Sequence, residues 1–216
     1  MLITEHNSAL TTDSFFRKSM KPNPRPAGLA RLRHAVLGLL GLGLVASSSA
    51  KSPVEPPTTA IVVDLNRYAG RWFEIARLPL FFQKANEAAI AEYGSNPDGT
   101  VSVHNIAVRP DGTQHDIRGY ATVLNPPENT KLAVRFSTWF GPLIPVPKAG
   151  NYWILYVDEL YQEAIVGTPD RKNLWLLART SPISDERYTA LVAQAEQLGF
   201  DVSRLIKDPP IASTNR

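Results

Sequence analysis

Few residues in this chain could do chemistry. His104 and His115 are the only imidazoles after residue 50. Neither stands at metal-ligand spacing from an Asp or Glu. No Gly-x-Ser-x-Gly elbow is present. The 216 residues include no cysteine, so there is no thiolate nucleophile, thiolate metal site or disulfide. One carboxylate stands out. Glu74 lies inside the alternating stretch Arg71–Leu78 (RWFEIARL). Turned into an apolar interior, it would have a raised pKa and could move a proton. Pairing with an Arg or a water is the plainer expectation for it. The residues together point to binding rather than catalysis, with no cofactor and no metal implied.

The segments that must position Glu74 read as strands. Glu87–Tyr93 (EAAIAEY) runs into Ser95-Asn96-Pro97-Asp98-Gly99, and Thr100–Val108 (TVSVHNIAV) into Arg109-Pro110-Asp111-Gly112. Both clusters carry hairpin-turn chemistry. Thr113–Leu124, Lys131–Phe136, Tyr152–Asp158, Glu163–Gly167 and Asn173–Thr180 follow, with a Pro/Gly-rich loop over Trp139–Gly150. Eight short strands in this rhythm predict an all-β antiparallel meander, closed into a barrel or folded as a sandwich. No interval suits a parallel crossover. One helix comes after them. Ser184 is a good N-cap, Asp185 and Glu186 suit its first turn, and Ile183 and Tyr188 occupy staple positions. Tyr188, Leu191, Val192, Ala195 and Leu198 form one apolar stripe, which predicts packing on the outside of the sheet, and Gly199 supplies the stop. Phe200–Ile206 is expected to add a short final strand, and the tail over 209–216 to be loose.

The formal charge of +3 suggests a nucleic-acid or acidic partner until the chain is divided. Residues 1–50 hold 6 Lys/Arg and 2 Asp/Glu, which leaves 17 and 18 for 51–216, a net −1. The domain therefore offers no general attraction to phosphate backbones, and no nucleic-acid partner is expected. The basic leader precedes the apolar run Ala35–Ala46 (AVLGLLGLGLVA), and Ser48-Ser49-Ala50 follows it. That layout is a secretory signal peptide cut after Ala50, the run being too short to span a membrane. Met20 offers a second start that would shorten the long lead-in. Residues 51–60 are expected to form a flexible linker, and 61–208 the barrel domain.

Three patterns coincide along the domain. Gly70-Arg71-Trp72 opens the first strand, Asp158-Glu159-Leu160-Tyr161 lies between the sixth and seventh, and Trp175-Leu176-Leu177-Ala178-Arg179 ends the last. In this order and at these distances they resemble the lipocalin family. Gly167–Trp175 (GTPDRKNLW) and the helix opening Thr180–Glu186 resemble most the bacterial subgroup related to apolipoprotein D. The resemblance implies an eight-stranded up-and-down barrel with one closed end, one open mouth and a C-terminal helix on its flank. It implies binding of small apolar ligands, fatty acids or lysophospholipids in this subgroup. Many bacterial relatives are outer-membrane lipoproteins anchored through a cysteine that this sequence lacks. By that analogy the protein is expected to be exported to the periplasm, or secreted, or peripherally associated with a membrane. An enzyme of this fold acting on a lipophilic substrate through Glu74, and an envelope interaction module, are the alternatives.

The resemblance also assigns roles. Gly70, Trp72, Tyr161 and Arg179 are implied to be structural, with Arg179 stacked across Trp72 and bonded to carbonyls of the N-terminal segment. With Trp72 pointing inward, alternation turns Glu74, Ala76 and Leu78 inward too. The expected ligand lining is then Ala76, Leu78, Ala91, Tyr93, Val103, Asn105, Ile117, Gly119, Leu132, Val134, Phe136, Tyr152, Ile154, Tyr156 and Trp175, with Ala89, Val101, Ala121 and Leu177 on the same faces. Small residues among them leave room for an acyl chain; the opposing expectation is a dry core filled by the tyrosines and Phe136. Phe81, Phe82, Trp139, Phe140 and Leu143 are candidates for transient contact with a membrane surface or for a lid. Lys84 and Lys148 are candidate partners for a head group.

Overall fold

The domain begins with a cap. The Asp64 carboxylate accepts the backbone N–H groups of Asn66 (2.9 Å) and Arg67 (3.3 Å), turning the chain into the single-turn helix α1 (Leu65–Tyr68). Gly70 follows at φ +93°, a conformation that side chains other than glycine's disfavour. The computed structural model describes residues 55–138 and 141–211. The leader with its cleavage point, Trp139, Phe140 and residues 212–216 lie outside them.

Eight antiparallel strands follow: β1 (Gly70–Arg77), β2 (Ala88–Ser95), β3 (Val101–Val108), β4 (Gln114–Val123), β5 (Lys131–Phe136), β6 (Tyr152–Val157), β7 (Glu163–Gly167) and β8 (Leu174–Ala178). Each pairs with the next, β8 returns to β1, and β1 pairs with β2, so the sheet closes into an up-and-down barrel. The sandwich alternative is thereby set aside. The two Asp-Gly turns use one device. Asp98 and Asp111 each accept the N–H two residues ahead (2.9 Å in both), and Gly99 and Gly112 both sit at φ +81°. Between β5 and β6 the backbone pairs only at Lys131–Leu132. Toward the mouth Asn151 substitutes its side chain, bonding both the N–H and the C=O of Val134 (2.8 and 3.1 Å).

After β8 the helix α2 (Asp185–Gln197) is capped by Ser184, whose hydroxyl accepts from the Arg187 N–H. Gly199, at φ +84°, ends it. A 3-10 turn over Val202–Arg204 leads to β9 (Ile206–Lys207), which pairs with β1 at Ala76 and Arg77. The final strand is thus shorter and later than the sequence suggests. Two apolar clusters result. One fills the barrel around Trp72, Val103, Leu132, Ile154 and Val166. The other lies between the outer wall and α2, around Ile75, Trp153, Ile165, Leu176, Leu191 and Phe200.

Two bulges correct the expected facing of side chains. The pairing of β1 with β8 shifts between Glu74 and Ala76, and that of β6 with β7 between Ile154 and Tyr156. An extra residue in one strand inverts every position after it. Ala76, Leu78 and Tyr156 therefore pack in the outer cluster and not in the barrel. Contacts extend to both ends of the described residues. Pro57 is buried, the Glu55 carbonyl accepts from Arg171, and the Ala60 N–H donates to the Ile154 carbonyl (3.1 Å), so residues 55–60 lie against the barrel. Asp208 is buried as well, and the Ile211 N–H donates to the Ser181 hydroxyl.

Candidate functional site

One end of the barrel is sealed from α1 upward. The Trp72 indole donates to the Tyr68 carbonyl (2.7 Å), and the Arg179 guanidinium lies 3.8 Å over the Trp72 ring. Arg179 also donates to the carbonyls of Arg67, Tyr68, Ala69, Arg71 and Tyr161. Tyr161, at φ +57°, accepts the Asp64 N–H on its hydroxyl (2.9 Å) and carries the Arg67 guanidinium over its ring. One charged group thus satisfies the carbonyls that a tight turn leaves free, and its charge sits on an aromatic face. The family resemblance implied the roles of Trp72, Tyr161 and Arg179; it assigned none to Asp64 or Tyr68.

Above the plug, register defines the interior face. Tyr93 pairs with Val103, Val103 with Gly119, and Gly119 with Phe136. Ala91 pairs with Asn105 and Asn105 with Ile117, while Leu132 pairs with Tyr152. Cross-strand partners share a face, so these residues join Val134, Ile154 and Trp175 around the interior cluster. Twelve of the fifteen expected lining residues thus face inward, Ala76, Leu78 and Tyr156 being the exceptions. Ala164 and Val166 of β7 and Val123 and Val157 complete that face. The expected lining omitted them; in β7 (EAIVG) the run after Glu163 has no alternation to show which side is in.

The interior is not uniform along its length. At the sealed end the Tyr68 and Tyr152 hydroxyls lie 2.8 Å apart, and Tyr152 donates to Tyr93 (3.0 Å). Burial raises all three phenols, Tyr93 to about 12, so they remain neutral. With Leu65, Val101, Val103, Ala121, Leu132, Val134 and Ile154 they enclose a void of about 10 Å³, room for one water at most. The dry-core expectation holds at this end. Toward the mouth, the interior-facing Ala89, Ala91, Asn105, Ala107, Ile117, Gly119, Phe136 and Trp175 are all only half-buried. Solvent therefore reaches the inner wall there, beside alanines and a glycine.

A polar cluster braces the mouth half of β1. Arg77 is completely buried; it donates to Asp208 (2.7 Å) and to the Lys84 carbonyl (2.6 Å), and lies 3.5 Å from Glu74. Gln83 donates to Glu74 (2.8 Å). Burial, then the neighbouring Asp208 charge, pushes the Glu74 carboxyl well above the usual range; burial likewise pushes Asp208 up to about 6. Glu74 is thus held by salt-bridge and hydrogen-bond partners, and with Ile75, Ser181, Lys207 and Asp208 it lines a cavity of about 260 Å³. His104 lies on the outer face between Glu92 (3.1 Å) and Asp116 (2.9 Å), and Arg71 bonds Glu92 in turn. Around the mouth, Phe81 is fully exposed, with Phe82, Leu143 and Ile144 largely so; Lys84 and Lys148 are exposed too.

Comparison with known proteins agrees with this architecture. The family model described as Lipocalin-like domain matches residues 63–210. Temperature-induced lipocalin-1 of Arabidopsis thaliana is 41% identical over 150 residues, covering 68% of this chain and 79% of that protein. Outer membrane lipoprotein Blc of Escherichia coli K12 is 36% identical over 177 residues, covering 82% and 96%. Apolipoprotein D of Bos taurus is 36% identical over 134 residues, covering 59% and 67%.

Proposed function

The chain belongs to the lipocalin family, and from that premise we propose that it carries or stores single amphiphiles, fatty acids or lysophospholipids, in a bacterial cell envelope. The observation that supports this reading is the contrast inside the barrel. The sealed end is packed with tyrosines, while the mouth half keeps small interior residues that water can reach. An acyl chain entering there gains about 0.8 kcal/mol per buried CH₂. Its charged head stays at the rim, where hydration costs nothing to keep. Lys84 and Lys148 stand near that rim. The envelope assignment rests on the leader pattern and on the relative named outer membrane lipoprotein Blc. The apolar rim of Phe81, Phe82, Leu143 and Ile144 favours transient seating of the mouth on a lipid surface while cargo passes.

Native mass spectrometry of the protein purified from cells tests the carrier reading. We expect one added amphiphile mass per chain, lost on delipidation and restored by a fatty acid or lysophospholipid. Refusal of every amphiphile by the delipidated protein would sink it. Co-sedimentation with vesicles tests the rim: Phe81→Ser with Leu143→Ser should weaken it without changing cargo affinity. Unchanged co-sedimentation removes the rim from the proposal.

A further inference from the structure

Among the described residues, four buried polar atoms are left without a partner: Arg77 Nε, Thr138 Oγ1, Asp208 Oδ2 and Asn105 Oδ1. The Asn105 side-chain oxygen Oδ1 is buried and receives no hydrogen bond. Its register, between Ala91 on β2 and Ile117 on β4, puts Asn105 on the interior face, two residues beyond the buried Val103. Arg77 Nε and Asp208 Oδ2 belong to the charged cluster with Glu74. The three tyrosine hydroxyls bond one another, and Glu74 takes Gln83 and Arg77. A buried acceptor without a donor is costly, and a site built around one discriminates strongly between ligands that supply the donor and ligands that do not.

We propose that Asn105 is a specificity-determining residue, selecting lipids that carry a neutral hydroxyl part-way along an apolar chain. This rests on the carrier reading above and narrows its cargo. Asn105 lies three residues inside Val108, the mouth end of β3, so its amide sits roughly 10 Å along the wall from the rim. A ligand whose charged head stays in water cannot bring that head to Asn105. A carboxylate or ester also has no proton to offer Oδ1. A hydroxyl has one, and it can accept as well, so it satisfies the amide in either orientation of its oxygen and nitrogen. The side chain directly across the ladder is the small Ala91.

The test compares three ligands on the delipidated full chain by calorimetry: stearate, a mid-chain hydroxystearate and its methoxy counterpart, which keeps the oxygen and loses the proton. The hydroxy lipid should bind about ten-fold tighter than the methoxy one. Asn105→Leu should erase that preference; Asn105→Ala serves if the leucine variant does not fold. Equal affinity of the native chain for the hydroxy and methoxy lipids overturns the assignment and leaves the carrier reading standing. So does a preference that survives both substitutions. Failure of all three lipids to bind overturns the carrier reading and this one with it.

Discussion

Arg179 shows how much one side chain holds. Its guanidinium covers the Trp72 ring and donates to five carbonyls, four of them in the segment from Arg67 to Arg71. Replacing it by Ala removes the stacked charge and strands those carbonyls, at a cost of about 2–4 kcal/mol. Arg179→Lys keeps the charge but loses the planar fork, so it should fall between. Urea denaturation measures both; equal stability of the native and Ala forms would show that the turn is held by other contacts. This pairing was implied by the family resemblance that the motifs around both residues carry. The burial of Asn105 Oδ1 was not, because alternation gives the side of a strand and says nothing of what lies opposite an amide.

At the scale of elements, strand positions and the helix caps followed from turn chemistry and periodicity. Asp98-Gly99, Asp111-Gly112 and Ser184 stand where the sequence puts them. What local pattern could not reveal was the pair of bulges, since an extra residue in β1 or β6 looks like any other apolar position. Their consequence can be measured. Tyr156→Ala should cost about 1–3 kcal/mol through lost packing on the outer wall and leave lipid affinity unchanged. Ala91→Trp should instead fill the interior and weaken lipid binding at least ten-fold, with the barrel still folded. If Tyr156→Ala abolished binding with the barrel intact, Tyr156 would have to face the interior and β6 would carry no bulge.

For the whole molecule, two sets of carboxyls pull stability in opposite directions with pH. Glu92, bonded by Arg71, and Asp170 are held below the usual range despite partial burial. Their contribution is present above about pH 4 and fades as pH falls. Glu74 and Asp208 are raised by burial, so the folded chain keeps protons that the unfolded chain gives up. Their contribution is full below about pH 4 and is lost as pH rises through about 6 and beyond. A proton on Glu74 also supplies the donor that Asp208 Oδ2 otherwise lacks. Urea midpoints should therefore peak between about pH 4 and 6. Glu74→Gln, which keeps an N–H to offer Asp208, should flatten the decline on the neutral side. A native midpoint that is level from pH 5 to 8 would mean the pair holds no proton.

The partnership of β1 changes half-way along its length. Its pairing with β2 ends at Phe73–Ile90, and from Ala76 onward the neighbour on that side is β9. The hoop of the barrel is thus continuous only toward its sealed end. Higher up, β1 is flanked on that side by a short strip from near the end of the chain, pinned through Asp208 to Arg77. Such a strip can be let out without unzipping any β1–β2 bond. Stopping the chain after Leu205 should therefore widen the range of acceptable cargo toward two-tailed lipids before it unfolds the domain. If the shortened chain still takes only single-tailed lipids, the strip does not set the cargo's width.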